Sequence, residues 1–523
     1  MRVLLLVGVV LLCACPKPVT ADGGAGGGGG LFGGGSGGTG GSTGGGTGGS
    51  SGGGTGGGAT AGRLLGHHVN YYRVGSVDLA QPNLDPSANI TVFVPQAGGS
   101  FSMRSVINTG DGGFSLDGLD GGPVYVRRVS DGRVTFVVTS GPFLNLDEYT
   151  LGRPGLALAS DTDVTLSFSN LEPTDAPDFQ VVAPNTGFSA SAYPTNFAGG
   201  VTTALVGEPA QLYPFSGALP DGTPGDPTWV VQLQAFDAGI PALLPDGGDV
   251  FVTAVSAVRS ATLTDARLGP DAGLTAVFQN SGTQFPLRLS ISTDWSSHFG
   301  EMVDGGGAFT YLFASVFPAP NAPGLVEQWV GYSGSLVDLF VDPPPAAAAA
   351  MVVPWVNPYP STWKMVLSVG ATATMRTRLP GTTAGSVQAS MNDSRLVTVV
   401  AAPVPRVLPP RLTVEGANGL LASLTPELTW QSGPGGAPNA WMVTVYHLVV
   451  SGTSTLHPIA ATLFTSGNSV RLPPGVLAAG EPYVVRLTAI LAPGQDLITN
   501  PYLQNGSFDL ATAEVLSGLW RAP

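Results

Sequence analysis

Cysteine is almost missing from this chain. Both copies, Cys13 and Cys15, fall within the first 15 of 523 residues. Everything after them therefore lacks a thiol nucleophile, a cysteine-ligated zinc or iron–sulfur centre and a disulfide. An exported fold without disulfides has to be held by its core, which domains of roughly 100 residues manage. Charge is scarce as well, at 11% of residues against ~25% in ordinary globular chains. Lysine occurs only as Lys17 and Lys364, a skew toward arginine that reads as coding bias in a GC-rich genome. The net charge of −14 repels phosphate backbones and disfavours nucleic acid as a partner. It also leaves no polybasic patch for anionic lipid. Long apolar runs are absent beyond the N-terminus. The best later candidate, "AAAAAMVVPWV" at 346–356, is broken by Pro354 and falls short of the ~20 residues a spanning helix needs.

Glycine (76) and proline (45) are abundant. Neither suits a helix interior, so composition tips toward strands and turns. The N-terminus reads as an export signal: Arg2, then an uninterrupted apolar run over residues 3–13, the length of a signal-peptide core. "Leu12-Cys13-Ala14-Cys15" resembles a bacterial lipobox, with an aliphatic residue at −3 and a small one at −1. The resemblance implies cleavage after residue 14 and acylation of Cys15. One acyl chain anchors weakly and several hold firmly, so the three chains usual in that family imply a stable anchor. The alternative is a plain secretory signal followed by a free cysteine. Residues 15–65 are dominated by glycine, serine and threonine, a composition that buries nothing and predicts a disordered tether. Forty such residues span ~35 Å root-mean-square and stretch to ~140 Å. "GGSTG" and "GGSSG" inside it fit G-x-S-x-G, but that motif needs a strand before and a helix after. Both are chance matches.

From about residue 66, short runs alternate with period two. "ITVFV" at 90–94, "VTLSFSNL" at 164–171 and "LRLSIST" at 287–293 each put apolar side chains on one face, the mark of a half-buried strand. "TGDGG", "LPDGTPGDP" and "LPDGGD" between such runs are turn chemistry. The pattern predicts an all-β chain: several β-sandwich modules in series behind the tether. The expected division is 66–178, 179–405 and 406–523, the last set off by the proline-rich "APVPRVLPPRL".

Two modules carry resemblances. "TGDGGFSLDGLDGGPVYVRRV" at 109–129 resembles the carboxypeptidase regulatory-like modules, which are transthyretin-like sandwiches. Phe114, Leu116, Gly118, Leu119, Gly122 and Tyr125 match the motif, with Pro123-Val124 where one residue is usual. The resemblance implies no catalytic residue, and places Phe114 and Tyr125 in the core. The C-terminal region resembles a fibronectin type III domain. "PELTWQ" at 426–431 is similar to its strand B, with Trp430 as core tryptophan. "WMVTVYHLVV" at 441–450 fits strand C, and "LAAGEPYVVRLTAI" at 477–490 enters strand F with Tyr483 as its corner tyrosine. The resemblance implies that Tyr483 packs its ring and bonds its hydroxyl to upstream backbone.

The middle region matches nothing with an activity. Aromatics cluster in "QWVGYSGSL" at 328–336 and "NPYPSTW" at 357–363; they would form a sugar or peptide shelf, or more simply pack as sandwich core. Five histidines exist: His67, His68, His298, His447 and His457. Neighbouring strand residues point to opposite faces, so His67 and His68 do not converge on a metal. Asp294, His298 and Glu301 read as a surface turn. Asp111, Asp117 and Asp120 do not have EF-hand spacing. The expectation is therefore no metal, no cofactor and no catalytic residue. The chain reads as a membrane-anchored surface lipoprotein of a double-membraned bacterium, acting in adhesion, binding or scaffolding. Its partner would be a surface glycan or protein. The rival reading is a secreted hydrolase carrying accessory modules.

Overall fold

The structure is a computed structural model. It describes residues 62–523 except 244–248, 270–271, 280–283, 305–307, 320–335, 342–348, 361–362, 397–405, 503–508 and positions 76, 131, 196, 198 and 292. About 60% of the chain is strand and 4% helix, so the all-β expectation holds. Among the described residues, α-helix is confined to two single turns, Pro86–Asn89 and Phe299–Met302.

The first region contains β1 (Gly62–His67), β2 (Val69–Val74), β3 (Val77–Pro82), β4 (Ile90–Pro95), β5 (Phe101–Ser105), β6 (Ile107–Gly110), β7 (Gly113–Leu119), β8 (Val124–Ser130), β9 (Arg133–Thr139), β10 (Phe143–Asn145) and β11 (Glu148–Leu151). β1 lies partly within the stretch expected as tether, and its Leu64 is a core residue at 0% exposure. One sheet runs β10-β1-β7-β6 and a small one runs β11-β2-β3. Gly66 is required on β1: a Cβ there would sit 2.0 Å from the ring of Phe114. At Gly118 the φ of +70° accounts for the glycine in that motif.

The second region holds β12 (Thr162–Ser169), β13 (Asp178–Ala183), β14 (Phe188–Pro194), β15 (Leu205–Ser216), β16 (Pro227–Leu243), β17 (Asp249–Thr264) and β18 (Ala272–Val277). The ladder order is β18-β12-β15-β14-β13-β16-β17. A bridge between Ser260 and Gln279 brings the two ends of that ladder together around Phe168, Phe179, Phe188 and Phe278. The rings of Phe168 and Phe179 meet edge-on at 4.9 Å. β12, grouped with the first module on sequence, pairs only with second-region strands among the described residues.

Next come β19 (Gln284–Ile291), β20 (Ala308–Ala319), β21 (Val337–Val341), β22 (Ala349–Val356), β23 (Lys364–Thr377) and β24 (Gly385–Leu396). β21 pairs with β17 and β20, and β23 lies between β20 and β24. The last region contributes β25 (Arg411–Val414), β26 (Gly416–Ala417), β27 (Leu420–Leu421), β28 (Glu427–Gln431), β29 (Ala440–His447), β30 (Val449–Ser451), β31 (Ser454–Leu456), β32 (Ile459–Thr465), β33 (Ser469–Arg471), β34 (Pro482–Leu491), β35 (Leu510–Leu516) and β36 (Trp520–Arg521). Its two facing layers are β25-β28-β33 and β32-β29-β34-β35.

The regions are joined by backbone pairing. β9 pairs in parallel with β32, which extends β5-β4-β8-β9 into β32-β29-β34-β35. The composite sheet is buried on both faces. On one face Val124, Val126, Val137, Met442, Phe464 and Ile490 meet Leu64 and Phe114 of the β1–β7 sheet. On the other, Tyr125, Phe136, Trp441 and Leu463 meet Trp430 of β28. Burial on both sides explains why "WMVTVY" and "FVVT" read as continuous apolar runs instead of alternating.

A second seam joins β24 to β35. Glu514 lies in it at 2% exposure. It accepts hydrogen bonds from the Ser390 N–H (2.8 Å), the Ser390 hydroxyl (3.1 Å) and the Thr488 hydroxyl (3.0 Å). Its Oε1 is 3.5 Å from Arg486 Nε. Removing one partner of a buried pair leaves the other charge uncompensated, at a cost of about 3–5 kcal/mol. Glu514→Ala is therefore expected to lose about that much stability in a denaturant titration, and Glu514→Gln, which keeps an acceptor for Ser390, clearly less.

Candidate ligand-binding surfaces

The residues singled out in the sequence fall into three groups. Cys15 lies outside the described residues. Phe114 (1% exposed), Trp430 (3%), Tyr125 (6%) and Tyr483 (2%) are all core side chains. The Tyr483 hydroxyl accepts a 2.8 Å hydrogen bond from the N–H of Ala478, five residues upstream. The Trp430 ring packs 5.6 Å from Trp441. Tyr125 reaches further than its own region, its hydroxyl accepting from the Arg471 N–H at 3.1 Å. Burial pushes the phenols of Tyr125 and Tyr483 up from their ordinary value.

The aromatic shelf does not form at 357–363. Tyr359 and Trp363 stack at 4.6 Å and 8°, and both close on Trp229. Tyr359 is buried, so these rings are packing. Residues 328–335 lie outside the described residues.

Each histidine is engaged. His298 bonds Glu301 at 2.8 Å, which accounts for the "SSHFGE" turn without a metal. His447 contacts Glu481 at 3.2 Å and stacks on Tyr483. His457 bonds the Thr377 hydroxyl. His67 and His68 fix the start of the fold. His67 Nδ1 lies 2.8 Å from Asp147 Oδ1, and the same oxygen accepts from the Val69 N–H at 2.7 Å. The Asp147 hydrogen bond is the main reason the His67 pKa is raised; burial opposes it, and the Asp111 carbonyl supports it. His68 points inward at 3% exposure and meets Asn83 at 2.9 Å. Desolvation, aided by the Arg128 charge, pushes it down to about 3.

One open surface stands apart from this packing. The solvent face of β25-β28-β33 carries a groove of about 460 Å³ lined by Arg411, Thr413, Thr429, Trp430, Gln431, Asn468 and Ser469. Strand register sets the rows: Arg411 beside Gln431, and Thr413 beside Thr429 and then Ser469. Alternation turns these side chains outward while Leu428, Trp430 and Val470 face the core. Two residues past Ser469 on β33, Arg471 holds Glu427 at 3.1 Å, Glu415 at 3.5 Å and the Thr425 carbonyl at 3.0 Å. Gly99, in the β4–β5 turn, abuts that guanidinium. The groove is a hydrogen-bonding surface with one cation, and its parts come from short strands that sequence alternation registers only as polar positions.

No known family model matches the chain, and no curated protein does. Among solved structures it is similar to a tetra-tandem repeat in the extending region of a large adhesion protein. The identity is 12%, covering 88% of this chain and 100% of that one, with a TM-score of 0.13. No conclusion about fold or function follows from so low a score. Among the described residues no helix is long and apolar enough to cross a membrane, which says nothing of barrels.

The two adjacent histidines give opposite pH signatures. A raised folded pKa adds stability that is full below the ordinary 6.5 and fades as pH rises through the folded value. His67→Gln should thus narrow its gap from wild type between pH 6 and pH 9. A depressed folded pKa does the reverse: the cost of keeping His68 neutral grows as pH falls from 6.5 toward about 3. His68→Asn should flatten the wild-type stability loss over that range. Thermal midpoints against pH check both.

Proposed function

We propose that the chain is a non-enzymatic surface protein, held to a membrane by acylated Cys15 and acting in adhesion, binding or envelope scaffolding. The observation that carries this reading is the open polar groove on β25-β28-β33, a flat hydrogen-bonding face turned to solvent at the far end of the chain from the anchor. Such faces contact ligands through many modest bonds. The strand order β25-β28-β33 against β32-β29-β34-β35, together with the Tyr483–Ala478 bond, supports a fibronectin type III identity for residues 406–523. The buried places of Phe114 and Tyr125 support a regulatory-like identity for the first sandwich.

Two experiments test the proposal. In cell fractionation Cys15→Ala should move the protein from the membrane pellet to the soluble fraction; retention in the pellet contradicts acylation. On a glycan and peptide array the mature chain should give ligands whose signal falls at least tenfold with Arg411→Glu. Array ligands indifferent to Arg411 would place the contact surface elsewhere.

A further inference from the structure

The groove on β25-β28-β33 carries enough chemistry to name the class of ligand it takes. Its outward side chains stand in two cross-strand rows. Arg411 pairs with Gln431, and the second row runs from Thr413 through Thr429 to Ser469. Neighbouring strands lie about 4.8 Å apart, and successive outward residues on one strand about 6.8 Å apart, so the patch measures roughly 10 Å by 7 Å. Its volume of about 460 Å³ is that of a small-ligand site. Arg411, Thr413, Thr429, Gln431 and Asn468 are exposed, and Ser469 is half-buried. Among the described residues none of these side chains has a hydrogen-bond or ion-pair partner. Their donors and acceptors are open to a ligand.

Charge narrows the choice. The three strands carry one carboxylate, Glu427, and Arg471 holds it at 3.1 Å. Arg411 is therefore an uncompensated cation on this face, in a chain of net charge −14. Repulsion by the rest of the protein disfavours a densely charged polyanion. At ~150 mM salt the screening length is about 8 Å, so a single anion close to Arg411 still feels that cation. The guanidinium fork matches the two oxygens of a carboxylate.

Shape narrows it further. A peptide bound on a sheet needs pockets for alternate side chains or a free strand edge. Here Leu428, Trp430 and Val470 are turned to the core, and the groove lies on the strand face. Trp430, at 3% exposure, offers no ring for stacking. What remains are hydroxyls and carboxamides, which both donate and accept, as sugar hydroxyls do.

We propose that the groove binds an acidic glycan, with Arg411 gripping a uronate carboxylate through both oxygens while Gln431, Thr413, Thr429 and Ser469 bond the hydroxyls of that sugar and its neighbour. The inference rests on the reading of this face as the contact surface. Without a stacking ring each site holds its ligand weakly, and many copies on one surface add up by avidity.

The test uses the mature chain on an array of uronate oligosaccharides, each printed beside its methyl ester, in ~150 mM salt. The ester keeps every ring hydroxyl and loses the charge. Acid forms should bind at least about tenfold more strongly than their esters. This contrast is read on the unaltered chain and stands clear of folding. Arg411→Gln should erase the preference, whereas Arg521→Gln, at an exposed arginine elsewhere, should change it less than about twofold. Thr429→Val, which removes one hydroxyl at nearly constant shape, should weaken acid and ester alike. Equal binding of acid and ester that still depends on Arg411 overturns the acidic sugar and leaves the contact surface standing. A preference for acid that survives Arg411→Gln sinks both. Hexaglutamate competing better than the free uronate chain, or no uronate bound at all, also overturns the proposal.

Discussion

The parallel pairing of Thr135–Val137 with Thr462–Phe464 is the contact on which the rest of the fold depends. Only three residue pairs make it, yet it turns two half-sheets into one. Without it β9 and β32 would each present an open edge, which costs unpaired backbone groups and invites association. With it, both faces of the joined sheet gain a cover: the β1–β7 sheet on one side and the Trp430 sheet on the other. The first sandwich and the last therefore share a central layer.

That sharing sets what the polar groups do. His67, Asp147 and Val69 tie the first strands down. The Tyr125 hydroxyl accepts from the N–H of Arg471, on the strand β33 that carries Ser469 of the groove. A side chain of the first region thus helps fix a surface of the last. Pairing between residues more than 300 positions apart also implies slow folding, since the loop has to close before the contact forms.

Much of the architecture was legible. Alternation in "VTLSFSNL" marked β12, and "PELTWQ", "WMVTVYH" and "PYVVRLTAIL" became β28, β29 and β34. Alternation says which face is buried and is silent about what buries it. Hence the alternation of β12 does not show its ladder partners β15 and β18, and the β9–β32 seam leaves no sequence signal beyond the unbroken apolar runs of its flanks. "NPYPSTW" reads as a shelf or, more simply, as core, and the cage of Trp229, Tyr359 and Trp363 is core. The surfaces were the least legible part. Arg411 and Thr429 are ordinary strand residues until register sets them side by side.

Because they share a central layer, the first and last regions cannot open independently. Amide hydrogen exchange through a denaturant series, read on segments 133–139 and 459–465, measures this directly. The account predicts that both segments exchange through one opening, with the same free energy and the same denaturant dependence. Exchange of 133–139 at a low, separate free energy while 459–465 stays protected would contradict it.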